Sequence, residues 1–294
     1  MYPSLFCIVC IYVCILCIMY TDVCHFLCTA GQKPDYSGIL VKEDTLLVIN
    51  KNGCNLQLYS RGDGKVLSTP YTLGSYPNGV CLISQTEFAV CLVDSTILIM
   101  SFKSTDQLTL IKTFNVRTEF HECHSVAKLN SSDKLVVSGL KDDVRMLYWD
   151  VVSITDGSVD STHYICNEGI WSHLAIKDNT VYISCWTSNT TDNGVYAYDI
   201  VKPHTHKFMY RHQELKIPGS IMIVADSIFV SNRNSERIHQ LTESGQLVKI
   251  HTVSSSPHKL FCDDQHGVLY TTRQYSNEIT IHRMKYLHNT GNFN

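Results

Sequence analysis

The stretch Ser37-Gly38-Ile39-Leu40-Val41 is followed by a polar turn and then by Leu46-Leu47-Val48-Ile49, and this pair of short apolar segments decides the fold. Each segment has the length and the branched residues of one β-strand. The same pair recurs five more times before Met284. The later pairs are 78–82 with 88–92, 124–127 with 135–138, 172–176 with 181–184, 219–223 with 228–231, and 258–262 with 268–271.

The six pairs recur at a nearly constant interval. Their equivalent positions are Gly38, Gly79, Ser125, His173, Ser220 and Lys259, at steps of 41, 46, 48, 47 and 39 residues. A repeat of this length that contains only strands is typical of propeller blades. We therefore expect an all-β fold, a six-bladed β-propeller with blades of four antiparallel strands.

Two further strands complete each unit of the repeat. A third strand follows the second after a polar loop, and several third strands alternate apolar and polar residues, which predicts one face near water. Outer strands are expected at 108–116, 206–210 and 248–253, whereas the pattern near Val66 and His163 is weak. The last unit runs out of pattern after Met284, so residues 24–28 are expected to supply its outer strand.

The chain divides into an apolar segment, residues 1–30, and one propeller domain, residues 31–294. Residues 1–21 carry no charge, but the apolar run 5–20 is shorter than the roughly 20 residues of a bilayer span. A secretory signal would have Lys or Arg ahead of its apolar core, and neither precedes this run. A signal, a membrane anchor, a misassigned start and buried strand material all stay open. Cys7, Cys10, Cys14 and Cys17 would lie along one helical stripe and predict no metal site.

Composition limits the possible partners and the compartment. The formal charge of −3 argues against nonspecific binding to nucleic-acid phosphates, and no DNA partner is expected. Thirteen cysteines, an odd number at irregular spacing, favour reduced thiols in a cytoplasmic protein. The alternative is a secreted or membrane-anchored protein that uses residues 1–30, and only that anchor would give it a membrane partner.

One face of the propeller is expected to carry the functional residues, because the loops that enter the innermost strands and those between the second and third strands meet there. Three histidines near the starts of innermost strands are expected to approach the central axis. A hydrogen-bonded lining of the channel is the favoured role for them, ahead of a metal site or a catalytic site. Aromatic and guanidinium groups suit recognition of a peptide or an unpaired base. The predicted binding residues are His124, His173, His258, Trp171, Arg233, Arg273, Tyr76 and Glu122.

No catalytic residue, metal or cofactor is predicted. The chain contains no Gly-x-Ser-x-Gly elbow, no phosphate-binding Gly-rich loop and no His-Glu-x-x-His pair. The enzymatic alternative is a six-bladed metal-dependent hydrolase or lactonase, which would need carboxylates and Asn around a channel metal. The recurring positions supply His and Ser instead.

Residues 31–284 resemble the NHL-type propellers of tripartite-motif (TRIM) proteins, especially a divergent form abundant in molluscs. The resemblance rests on Tyr36-Ser37-Gly38, Leu46-Leu47-Val48-Ile49-Asn50, Leu56-Gln57-Leu58-Tyr59 and Tyr76-Pro77-Asn78-Gly79-Val80. It implies a non-enzymatic module that binds a protein or structured RNA. No RING, B-box or coiled-coil pattern precedes Tyr36, so we expect a monomer that does not transfer ubiquitin by itself.

Overall fold

The structure is a computed structural model that describes residues 17–25, 34–116, 122–130, 132–141, 145–203, 206–224, 226–263, 267–276 and 278–286. It forms six sheets of four antiparallel strands, which confirms the predicted six-bladed β-propeller. Among the described residues, no helix has the length and apolar character needed to cross a bilayer.

The strands follow the chain blade by blade, apart from the first one. Strand β1 (Cys17–His25) belongs to the last blade. Blade 1 contains β2 (Tyr36–Lys42), β3 (Thr45–Asn50), β4 (Asn55–Ser60) and β5 (Tyr71–Thr72). Blade 2 contains β6 (Pro77–Leu82), β7 (Glu87–Leu92), β8 (Thr96–Ser104) and β9 (Gln107–Asn115). Blade 3 contains β10 (Glu122–Lys128), β11 (Lys134–Lys141), β12 (Met146–Ser153) and β13 (Val159–Cys166).

The second half of the ring repeats this order. Blade 4 contains β14 (Gly169–Lys177), β15 (Thr180–Thr187), β16 (Gly194–Asp199) and β17 (His206–Tyr210). Blade 5 contains β18 (Pro218–Val224), β19 (Ser227–Asn232), β20 (Arg237–Thr242) and β21 (Leu247–Thr252). Blade 6 contains β22 (Lys259–Asp263), β23 (Val268–Thr272) and β24 (Glu278–Tyr286), with β1 at its outer edge.

The N-terminal strand closes the ring. All nine residues of β1 pair antiparallel with β24, and β22 contacts β2 of blade 1. The expected closing strand therefore lies at this edge, but it spans Cys17–His25 rather than 24–28, and residues 26–28 lie outside the described residues. The weakly patterned blade 3 has a full outer strand, β13, whereas Val66 of blade 1 makes only an isolated bridge to Tyr59.

The hydrophobic core lies in the seams between neighbouring blades. Along β3, Leu47 and Ile49 pack towards blade 2, whereas Leu46 and Val48 pack towards blade 6. Successive strand residues point to opposite faces, so a strand covered on both faces is apolar throughout. This is why the run Leu46-Leu47-Val48-Ile49 shows no alternation.

The same double coverage overturns one expectation about the third strands. Their central residues are buried on both faces, as in β4 and β20, so neither face of their middle is near water. Several of their buried polar side chains find partners inside the protein. The Tyr59 hydroxyl donates to Gln57 Oε1 at 2.9 Å, and the hydroxyl of Tyr210 lies 2.9 Å from His239 Nδ1.

Candidate functional site

The innermost strands β2, β6, β10, β14, β18 and β22 surround a central channel of about 270 Å³. Gly38, Gly79, Ser125, His173, Ser220 and Lys259, the equivalent positions of the six repeats, all line it. The strands approach closely here, because a Cβ on Gly79 would lie 3.0 Å from Ser125 Cα of the next blade. A side chain from one blade can therefore reach another across the axis.

Lys259 is the most unusual residue of the channel. It is only 6% exposed, and its Nζ lies 3.3 Å from the carbonyl oxygen of Asn78 and 3.2 Å from Nδ1 of His173. These partners belong to blades 2 and 4, so the amine of blade 6 connects opposite sides of the ring. Burial, reinforced by the cations Lys51 and Arg233, lowers the pKa of Lys259 to about 7.

His173 is a hydrogen-bond acceptor for this amine. Burial and the neighbouring Lys259 hold the pKa of His173 well below its ordinary value. The imidazole is therefore neutral at pH 7, and a neutral imidazole has one nitrogen that can accept from the Lys259 amine.

His258 lies beside the channel and contacts a carboxylate. Its Nδ1 is 3.5 Å from Asp35 Oδ1, and both residues are buried. Burial lowers the pKa of His258 to about 4, against the opposing effect of Asp35. Burial alone would raise the pKa of Asp35, but His258, Lys259 and Lys51 together leave it below its ordinary value.

Trp171 lies at the start of β14, where side chains from three blades meet. Its indole stacks on the His124 ring with centroids 4.1 Å apart and planes inclined by 14°. Lys51 Nζ of blade 1 lies 4.6 Å from the centroid of Trp171, within the range of a cation–π interaction. Glu122 Oε2 is 3.5 Å from His124 Nε2, and burial lowers the pKa of this histidine despite that carboxylate.

Arg233 connects blade 5 with both of its neighbours. Its guanidinium carbon lies 5.5 Å from the centroid of Trp186 in blade 4, and its Nη2 donates to Gln274 Oε1 in blade 6. The residue is half-buried, and burial lowers the pKa of its guanidinium from a very high ordinary value. Because the group stays charged at neutral pH, it is a fixed cation at this end of the channel.

We name the end of the propeller that carries these groups the upper face; it comprises Asp35, Lys51, Tyr76, Glu122, His124, Trp171, Arg233, His258, Arg273 and Gln274. All lie at the starts of innermost strands or in turns between second and third strands. The structure brings Glu122, His124 and Trp171 into contact, with His173 close by, its ring centroid 6.2 Å from that of Trp171.

The eight residues predicted from sequence occupy different depths of the upper face. His124, His173 and His258 are buried beneath it. Trp171, Glu122 and Arg233 are half-buried, whereas Tyr76 (50% exposed) and Arg273 lie at the exposed rim.

Sequence reasoning did not select Lys259, Lys51 or Asp35 as site residues. A signal for Lys259 was present, because it is a charged residue at a repeat position that is Gly, Ser or His in the other five units. Lys51 and Asp35 had no such signal, since polar residues in turns are normally solvated. Among the described side chains, no cluster of three or more His, Cys, Asp or Glu could hold a metal ion.

Comparison with solved structures shows similarity to other β-propellers. The β-propeller domain of Cps50 (Swd1) from Myceliophteria thermophila aligns with a TM-score of 0.59 and 11% identity, over 85% of this chain and 84% of that one. A Bacteroides thetaiotaomicron protein of unknown function gives 0.67 and 13%, over 91% and 77%. The WD40 β-propeller domain of Doa1 gives 0.57 and 12%, over 90% and 97%.

These identities show the fold alone. No protein-family model matches the chain, and comparison with curated protein sequences finds no match.

Proposed function

We propose that this propeller is a non-enzymatic binding module for a protein partner and that the upper face is its contact surface. The observation that carries the proposal is Trp171, a half-buried indole that lies between His124 and Lys51 where three blades meet. Trp and Arg are the residue types that contribute most to binding energy at protein interfaces. Arg233 and the exposed Tyr76 belong to the same face.

The predicted residues divide into two roles in this proposal. Trp171, Glu122, Arg233, Tyr76 and Arg273 are accessible enough to touch a partner. His124, His173 and His258 are buried and neutral at pH 7, so they support the groups above them. The stacked ring of His124 fixes the orientation of Trp171, which lowers the entropy lost when a partner binds.

The resemblance to NHL-type propellers of tripartite-motif proteins supports the same function, since those domains recognise the substrates of ubiquitin ligases. The similarity to WD40 domains supports a propeller that presents one face to a partner. We further propose a cytoplasmic monomer. A metal-dependent hydrolase is disfavoured because the channel is lined by Ser, Lys and His instead of carboxylates.

A capture experiment tests the proposal. The full chain, immobilised through its C-terminus, is incubated with cell extract with and without ribonuclease, and captured proteins are compared for wild type, Trp171→Ala and Arg233→Ala. Lys103→Ala is the matched control, because Lys103 is exposed at the opposite end of blade 2.

We expect a protein that survives ribonuclease treatment, is retained by Lys103→Ala and is lost by at least about tenfold with Trp171→Ala. Loss of all captured protein after ribonuclease would indicate an RNA ligand. Equal capture by all four chains would contradict the assignment of the upper face.

A further inference from the structure

Three buried or half-buried cations, Lys51, Arg233 and Lys259, lie at the upper face or just beneath it. Among the described residues, Lys51, Arg233 and Lys259 form no ion pair with a carboxylate, although all three are buried or half-buried. The two carboxylates of the face contact histidines, Asp35 with His258 and Glu122 with His124, and attract the cations only at longer range. Burying a charge without a partner is costly, so folding does not explain this arrangement.

The cations also act on one another. Lys51 and Arg233 both lower the pKa of Lys259, because their positive charges disfavour its protonated form. Asp35 is the carboxylate that partly offsets this repulsion. An added negative charge at this position would interact favourably with all three cations.

Unused hydrogen-bond donors accompany the unpaired charge. A protonated lysine amine has three N–H donors, and Lys259 directs its amine at two acceptors, Asn78 O and His173. Arg233 has five N–H donors, of which Gln274 accepts one. Trp171 Nε1 is buried and has no hydrogen-bond partner among the described residues.

Size and charge together select the ligand. The channel, at about 270 Å³, is slightly smaller than most ligand pockets, which measure about 300–1,000 Å³, and so suits a compact group. When Lys259 is protonated, its charge and those of Lys51 and Arg233 exceed the charges of Asp35 and Glu122 by one, which one carboxylate group would balance. A phosphate monoester carries about −1.5 to −2 at pH 7 and would overcompensate.

We propose that the upper end of the channel binds a single compact carboxylate, which accepts a hydrogen bond from Lys259 Nζ and is flanked by Lys51 and Arg233. The inference rests on the proposed function, because the carboxylate belongs to an acidic side chain or the C-terminus of the partner. A free small carboxylate has the same chemistry and would occupy the same position.

The two sources are tested separately on the full chain by calorimetric titration at pH 7 and constant ionic strength. One arm uses sodium propionate, which carries a single carboxylate, with inorganic phosphate and sodium chloride for comparison. The other uses a short peptide that ends in Glu with a free carboxylate, against the same peptide with both carboxyl groups amidated. Each probe is titrated into wild type, Lys259→Met, Lys259→Arg and the control Lys103→Met, since Lys103 is exposed and distant from the channel.

We expect the carboxylate probe to bind wild type and Lys103→Met equally, to bind Lys259→Arg detectably and to bind Lys259→Met at least about tenfold more weakly, as for loss of a charge-assisted hydrogen bond. Binding of propionate alone would identify a free carboxylate as the ligand, and binding of the peptide alone would identify a polypeptide. Should Lys259→Met not fold, Arg233→Gln replaces it, with weaker binding expected.

The proposal is overturned if neither carboxylate probe binds wild type, if Lys259→Met binds as wild type does, or if phosphate binds more tightly than propionate. A partner captured through Trp171 in a chain that ignores carboxylates would leave the proposed function intact and remove only this inference.

Discussion

The seam between blades 1 and 2 and the upper end of the channel are both buried, but the seam consists of apolar side chains and the channel of polar ones. The seam contains Leu47, Ile49, Phe88 and Phe102, whose burial stabilises the fold. The channel contains Lys259 and His173, whose charged forms are suppressed by burial. The comparison shows that stability resides between the blades, whereas the axis holds groups whose burial opposes folding.

Truncating the seam is expected to have the largest effect. Phe88 is fully buried, and its ring lies 4.9 Å from that of Phe102. Phe88→Ala should lower the free energy of unfolding by about 3–5 kcal/mol, because it removes apolar contacts and leaves a cavity. Urea denaturation measures this. The control Leu110→Ala, on the exposed outer strand β9, should change it by no more than about 0.5 kcal/mol.

Lowering the pH should destabilise the protein through a histidine that is buried inside a blade. Burial lowers the pKa of His282 to about 4, and its Nε2 lies 3.0 Å from the Thr271 hydroxyl. Between pH 6.5 and pH 4 the unfolded chain binds this proton more readily, so stability is lost as the pH falls. Wild type should lose about 1–3 kcal/mol more over this window than His282→Gln. Parallel profiles of unfolding free energy against pH would contradict the burial of a neutral imidazole.

Removing the channel lysine should stabilise the protein. Lys259→Met replaces a buried amine that forms no ion pair by an apolar chain of similar length and should raise the free energy of unfolding at pH 7 by about 1–3 kcal/mol. The pKa of Lys259 is about 7 when folded and 10.5 ordinarily, so the unfolded state binds the proton more strongly between these values. Wild type should therefore regain stability relative to Lys259→Met as the pH rises from 7 towards 10. A lower free energy of unfolding for Lys259→Met than for wild type at pH 7 would contradict the claim that burial of this amine opposes folding.

The smallest expected effect concerns the cation above Trp171. Lys51→Met removes the cation–π interaction but keeps an apolar chain over the indole, so stability should fall by at most about 1 kcal/mol. Tryptophan fluorescence during urea unfolding measures both the change in stability and the environment of the indole. A loss of much more than about 1 kcal/mol would contradict the claim that stability resides between the blades and not at this end of the channel.

The seams were accessible to sequence reasoning because their signal repeats. Each apolar run, such as Leu46-Leu47-Val48-Ile49, can be recognised from consecutive residues alone. The nearly constant interval between the six runs then predicts the blades, their order and the face where the loops gather. The closing strand was harder, because its pairing partner β24 is more than 250 residues away along the chain. For the third strands, alternation of apolar and polar residues predicts one face near water. Alternation does not reveal that neighbouring blades cover both faces of these strands.

The channel was only partly accessible. The approach of His173 to the axis followed from its repeat position, but the burial of His124, His173 and His258 depends on neighbouring blades that no single strand encodes. Lys259 was recognised as equivalent to Gly38 and Gly79, yet its contact with Asn78 crosses the ring. The pairing of Lys51 with Trp171 likewise joins blades 1 and 4.

The most direct test of the account is the protonation of Lys259 itself. Heteronuclear NMR of side-chain-labelled lysine, with the Lys259 resonance assigned from its loss in Lys259→Met, follows this amine as the pH is raised from 6 to 11. The account predicts titration near pH 7 in the free protein and an upward shift when propionate is added, because a bound carboxylate favours the charged amine. Titration near 10.5, unchanged by propionate, would contradict it.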